Sequence, residues 1–96
     1  MLPDEDSEAL KSLFDFDPRP RALRVCFNDG EELELEAMNW WHDQGEAAHG
    51  TGIVVRMIRS ARTWKQGSAV SFPLEDVELV FDAASDKILF KKNAHE

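Results

Sequence analysis

Beyond Pro20 the hydrophobic period of the chain changes from helical to two, and this change constrains the fold more than any other feature. Leu23, Val25 and Phe27 alternate with Arg24 and Cys26, and Leu33, Leu35 and Ala37 alternate with Glu32, Glu34 and Glu36. Neighbouring side chains of a strand point to opposite faces, so this alternation makes half-buried strands. Glutamate and leucine favour helix by propensity, but leucines at every second position would scatter around a helix. Between the two runs, Asn28-Asp29-Gly30 supplies residues that tolerate positive φ in a tight turn. The pattern predicts a hairpin of about 22–28 with 31–38.

Upstream, Asp4 to Phe14 reads as a short helix. Asp6 or Ser7 caps it, its acids suit the positive N-terminal end, and Leu10, Leu13 and Phe14 share one side. Alone it is too short to persist in water, so the stripe needs a partner surface. Pro18 and Pro20 end it and set an extended connector. Downstream, Met38 to Trp41 leads into a loop, His42 to Thr51, with two glycines. Gly52 to Ser60 reads as a third strand whose Ile53, Val54, Val55, Met57 and Ile58 are apolar on both faces, which predicts a central or covered strand. Val70 and Phe72 mark a fourth strand that ends at Pro73. Leu74-Glu75-Asp76 makes a helical turn, Val77, Leu79 and Phe81 a fifth strand, and Ile88 and Phe90 a short last one.

One helix followed by five to six short strands predicts a mainly β fold, a small antiparallel barrel. Residues 1–20 form the helix and proline linker, and residues 21–93 a single domain. The passage Val70-Ser71-Phe72-Pro73-Leu74-Glu75-Asp76-Val77-Glu78-Leu79 resembles the closing segment of SH3-like barrels. In that family an aromatic-Pro pair ends a strand, one 3₁₀ turn follows, and Val-Glu-Leu opens the last barrel strand. Trp40-Trp41 is similar to the paired tryptophans of SH3 domains. Asp76 stands where the peptide-binding members place tyrosine, so the resemblance implies the barrel without recognition of proline-rich peptides. An Sm-like barrel, also one helix and five strands, is a second fold relative. Phe27-Asn28-Asp29-Gly30 and Met38-Asn39 are similar to parts of its first motif.

Charge is distributed unevenly. The chain carries a net charge of -8, yet residues 50–67 hold four bases, Arg56, Arg59, Arg62 and Lys65, and no acid. With Trp64 and Trp41 this basic, aromatic island is the best candidate binding surface, because cations beside a large ring suit protein interfaces and single-stranded nucleic acid alike. Its simplest alternative role is to neutralise acids across the sheet. The single cysteine, Cys26, rules out an internal disulfide and indicates a reducing cytoplasm. No apolar run is long enough to span a membrane.

Catalytic signals are weak. Cys26 has no histidine near it in sequence and reads as a semi-buried, inert thiol. Glu32, Glu34 and Glu36 read as a solvated strand face. His42, Asp43, Glu46 and His49 carry metal-binding groups, but their spacing matches no firm ligand set and reads as a solvated loop. No enzyme, metal or cofactor is expected. The expected function is a non-enzymatic interaction module that binds a partner protein or a second copy. A nucleic-acid binder using the same island, and an acidic inhibitor mimicking phosphates through Glu32, Glu34, Glu36 and the N-terminal acids, are the alternatives.

Overall fold

The computed structural model describes residues 4–15, 22–42, 47–60 and 63–92. It contains α1 (Asp4–Phe14) and six strands: β1 (Leu23–Phe27), β2 (Glu32–Trp41), β3 (His49–Arg59), β4 (Ala69–Pro73), β5 (Val77–Asp82) and β6 (Ile88–Lys91). A 3₁₀ turn, Leu74–Asp76, joins β4 to β5. The strands form one antiparallel sheet in the order β4-β3-β2-β1-β5-β6. In that order β3, β2 and β1 separate β4 from β5, yet three residues connect them. So short a link requires the sheet to curl until its β4 and β5 regions approach. Ring contacts agree: Phe72 on β4 meets Phe27 on β1 edge to face at 5.0 Å, and Phe14 of α1 at 6.1 Å. The result is a mainly β domain compatible with a small barrel.

The interior follows the alternation. Leu23, Val25 and Phe27 of β1 face Leu33 and Leu35 of β2 inside, and Val54, Val70, Phe72, Leu74, Val77, Val80 and Phe90 complete the core. At the predicted turn, Gly30 adopts φ 89° and its N–H donates to the Phe27 carbonyl at 3.0 Å. Only glycine takes that backbone conformation without strain. The Asp29 carboxylate accepts the Glu31 N–H at 2.9 Å, closing the bend from its side chain.

α1 covers one opening of this core with Leu10 and Phe14, both fully buried, while Leu13 is half-buried. The helix begins at Asp4, so Asp6 and Ser7 lie inside its first turn instead of capping it, and Asp6 is buried. Its end is fixed to β2: the Trp40 indole N–H donates to Asp15, and the Lys11 ammonium sits 4.9 Å from the Trp40 ring centre. The segment containing Pro18 and Pro20 lies outside the described residues.

β2 departs from its expected alternation. Its inward positions run Leu33, Leu35 and then Met38, while Ala37 is exposed. Between Glu36 and Asn39 the pairing shifts, so that three steps along β2 match two along β3. Ala37 is the extra residue, at φ 53°. Such a bulge reverses the facing of every later side chain and bends the strand, as the curl requires. A left-handed alanine is strained by about 1–2 kcal/mol, whereas glycine costs about 0.4–1 kcal/mol through the freedom of the unfolded chain. Ala37→Gly is therefore expected to stabilise the fold by about 0.5–1 kcal/mol. Chemical denaturation measures it, and a loss of stability would show that the left-handed bulge is absent.

β3 also starts earlier than expected, at His49 instead of Gly52. Gly50, which suggested a loop, and Gly52 are both buried strand positions. A Cβ on Gly50 would lie 2.7 Å from the Phe72 ring, and one on Gly52 2.7 Å from the Met38 sulfur. These glycines permit close packing inside the curled sheet.

Candidate functional site

The outer face of the sheet carries a charge ladder. Arg24 on β1 places its Nε 3.0 Å from Glu32, its Nη1 3.0 Å from Asp86, and its guanidinium over the Phe81 ring at 4.4 Å. On the far side of β2, the Arg56 Nε of β3 donates to Glu34 of β2 at 2.8 Å. Arg59 lies opposite Glu32 in the β2–β3 register. Two arginines of the basic island thus face glutamates across the ribbon, the simplest role the sequence suggested. Exposed pairs of this kind contribute about 0–1 kcal/mol each.

The six candidate binding residues do not form one patch. Trp41 lies opposite His49, at the far end of β2 from Glu32 and Arg59, on the order of 30 Å away along the strand. It is exposed and stacks on His49, with ring centres 4.8 Å apart. Trp64 turns inward, half-buried against the core, whereas its neighbour Lys65 is exposed. Arg62 lies outside the described residues. Arg56, Arg59 and Lys65 remain as exposed bases of the island.

Met57 and Ile58 are not covered, contrary to the reading of β3 as apolar on both faces: they are 42% and 38% exposed. The reason is the length of β3. β4 pairs with it only from His49 to Ile53, and the Val54 N–H and carbonyl close the ladder with Ser68 and Gly67. Beyond Val54, β2 is the one strand paired with β3 among the described residues. This overhanging tip sets Arg56, Met57, Ile58 and Arg59 at the end of the ribbon, all exposed.

The histidine group disperses. His42 stacks on Trp40 with ring centres 5.7 Å apart, and His49 stacks on Trp41. The two tryptophans are consecutive strand residues and point to opposite faces. Asp43 and Glu46 lie outside the described residues, and no group of three metal-binding side chains occurs among the described ones. No helix among the described residues is long and apolar enough to cross a membrane.

Cys26 sits half-buried on the outer face. Burial, helped by the nearby Glu32 carboxylate and opposed by Arg24, pushes its thiol up to about 11 from an ordinary 9.0. A thiol held protonated is a poor nucleophile. The raised value favours the protonated thiol in the folded state. Its stabilising contribution is therefore complete below pH 9.0 and lost as the pH rises through about 11. The chain has no tyrosine, so the ultraviolet absorbance of the thiolate is free of tyrosinate overlap. The folded protein is expected to titrate near pH 11 and the urea-unfolded chain near 9.0. Coincident titrations would show that Cys26 is fully solvated.

One feature escaped the sequence reading altogether: a cleft of about 220 Å³ lined by Phe27, Leu33, Trp64, Val70 and Phe72, with Asp29, Glu31 and Asp76 among its polar lining residues. Its acids come from the β1–β2 turn (Asp29 and Glu31) and the 3₁₀ turn (Asp76). They converge because the Asn28 N–H donates to the Asp76 carbonyl at 2.8 Å. Nothing local in the sequence signals that approach, which the curl of the sheet creates.

No protein-family model matches this chain, and no curated protein and no solved structure matches it either.

Proposed function

We propose that this chain is a non-enzymatic protein-interaction module, a small SH3-like barrel of the cytoplasm whose overhanging β3 tip pairs with an extended segment of a partner protein. The passage from Phe72-Pro73 through the 3₁₀ turn into Val77-Glu78-Leu79, together with the strand order, supports the SH3-like assignment. The single cysteine supports the cytoplasmic one.

The observation that carries the interaction reading is the tip itself, where Met57 and Ile58 are exposed on a strand that continues past its β4 neighbour. A strand edge with exposed apolar side chains is a template for a further strand: main-chain hydrogen bonds supply affinity and alternate side chains supply specificity. Arg59 and Lys65 around the tip favour acids alternating with apolar residues in that added strand. A second copy suits it less well. Two-fold antiparallel pairing centred between Met57 and Ile58 would set Arg56 against Arg59, and like charges placed opposite each other are destabilising.

The ladder weighs against the other two readings. Arg56 is engaged by Glu34, and the net charge of -8 repels polyanions at long range, which disfavours nucleic acid. Glu32 and Glu34 are held by Arg24 and Arg56, which leaves few free carboxylates on that face for phosphate mimicry.

Calorimetric titration with a synthetic peptide of alternating valine and glutamate tests the proposal. Wild-type protein is expected to bind it, and Arg59→Glu/Lys65→Glu to weaken binding at least about tenfold, equivalent to 1.4 kcal/mol. Met57→Ser/Ile58→Ser is expected to abolish binding without lowering stability, since both residues are exposed. Unchanged affinity in both variants overturns the proposal.

A further inference from the structure

The cleft opens beside the β3 tip. Leu33, which lines it, lies opposite Met57 in the β2–β3 register. Glu31, which also lines it, accepts the hydroxyl of Ser60, the residue that follows β3. Directly opposed residues share one face of a sheet, so Met57 stands on the inner face with the buried Leu33. Arg56 and Arg59 lie opposite Glu34 and Glu32, on the outer face. From Leu33 the apolar lining continues inward through Phe27, Val70 and Phe72, with the half-buried Trp64 beside them. Asp29 and Asp76, both exposed, border the cleft on its solvent side.

A strand added along the tip inherits this division. Its side chains alternate between the two faces, so those on the outer face meet Arg59 and those on the inner face meet Met57 and the mouth of the cleft. The dimensions limit what enters. Sites for whole cofactors and drug-sized ligands measure roughly 300–1,000 Å³, whereas an apolar cavity of about 150 Å³ holds one benzene ring. A cleft of about 220 Å³ therefore takes a single ring-bearing side chain. Charge limits it further: a carboxylate entering here would face Asp29 and Asp76, a like-charge arrangement that selects against acids. We propose that the cleft is the specificity pocket for the added strand and takes one phenylalanine-sized apolar side chain from its inner face. This inference rests on strand pairing at the β3 tip and specifies the partner's pattern, acids outward and one large apolar residue inward.

Calorimetric titration of the full chain with a set of valine–glutamate peptides tests it, each peptide carrying phenylalanine, alanine or glutamate in place of one valine. At one valine position, phenylalanine is expected to tighten binding about three- to tenfold and alanine to weaken it by a similar factor. Glutamate at that position is expected to weaken binding at least about tenfold. Phenylalanine at the other valine positions is expected to leave affinity nearly unchanged. In ¹⁵N–¹H spectra of the labelled protein, the tighter peptide is expected to shift the Trp64 indole N–H and the Leu33 and Val70 amides beyond what the parent peptide does. Equal effects of phenylalanine at every position, or a gain in affinity without added shifts at Trp64, Leu33 and Val70, overturn the pocket while pairing at the tip stands. Failure of every peptide to bind overturns the pairing, and the pocket with it.

Discussion

Replacing Phe72 with alanine is expected to cost about 3–5 kcal/mol and to lower the thermal midpoint by on the order of 20 °C or more. Phe72 is the ring on which the curl converges. It comes from β4, meets Phe27 of β1 at 5.0 Å and Phe14 of α1 at 6.1 Å, and lies under Gly50 of β3. Its removal leaves a cavity shared by the helix and three strands, which the stiff sheet cannot collapse to fill. At about 0.05–0.15 kcal/mol per residue, a chain of 96 residues has roughly 5–14 kcal/mol of stability in all. The substitution therefore removes a large share of it. Thermal unfolding followed by circular dichroism measures the loss; a change below about 1 kcal/mol would mean that the β4 and β1 faces do not meet around this ring.

The second large effect approaches the same ring from the opposite side. Gly50→Ala places a methyl 2.7 Å from one Phe72 ring carbon, 2.9 Å from the next and 3.2 Å from Leu74. Overpacking of this kind costs about 1–3 kcal/mol. Because the clash is with one partner, it should be relieved when that partner shrinks. In a Phe72→Leu background the same Gly50→Ala change is expected to cost much less, with a coupling energy of about 0.5–3 kcal/mol in the double-mutant cycle. Simple additivity would place the two residues out of contact.

Gly50 also shows where sequence reasoning ended. Glycine marks loops because it loses the most freedom on ordering, so His42 to Thr51 reads as one connection. The competing reason for a glycine, close approach of another group, depends on a ring twenty-two residues away and has no local signal. Ala37 is the converse case. A left-handed bulge is announced by glycine or asparagine, and alanine gives no such notice, so the reversal that brings Met38 inside is invisible in the alternation. The period-two runs at Leu23–Phe27 and Leu33–Leu35, the Asp-Gly turn, the Pro73 stop and the Val77 restart rest on local physics, and the strands they predict are present.

The candidate site was legible only in part. The run of bases from Arg56 to Lys65 is plain in the sequence, but the facing of each base is set by register. Register places Arg56 against Glu34 and Arg59 against Glu32. Met57 and Ile58 read as core because they are apolar. Their exposure follows from β4 ending its pairing at Ile53, a length mismatch between two strands that hydropathy does not record. Trp41 and Trp64 joined the island by composition, and the fold parts them: one stacks on His49 at the far end of β2, and the other walls the acidic cleft.

The most direct measurement is a ¹⁵N–¹H titration of the labelled protein with the valine–glutamate peptide, read for where on the chain the amide signals move. Pairing at the overhanging tip predicts that the largest shifts fall on residues 55–59 and that their amides become protected from hydrogen exchange, while β5 and β6 remain unperturbed. Shifts concentrated around Trp41 and His49, or spread evenly over the surface with no added protection, would contradict it.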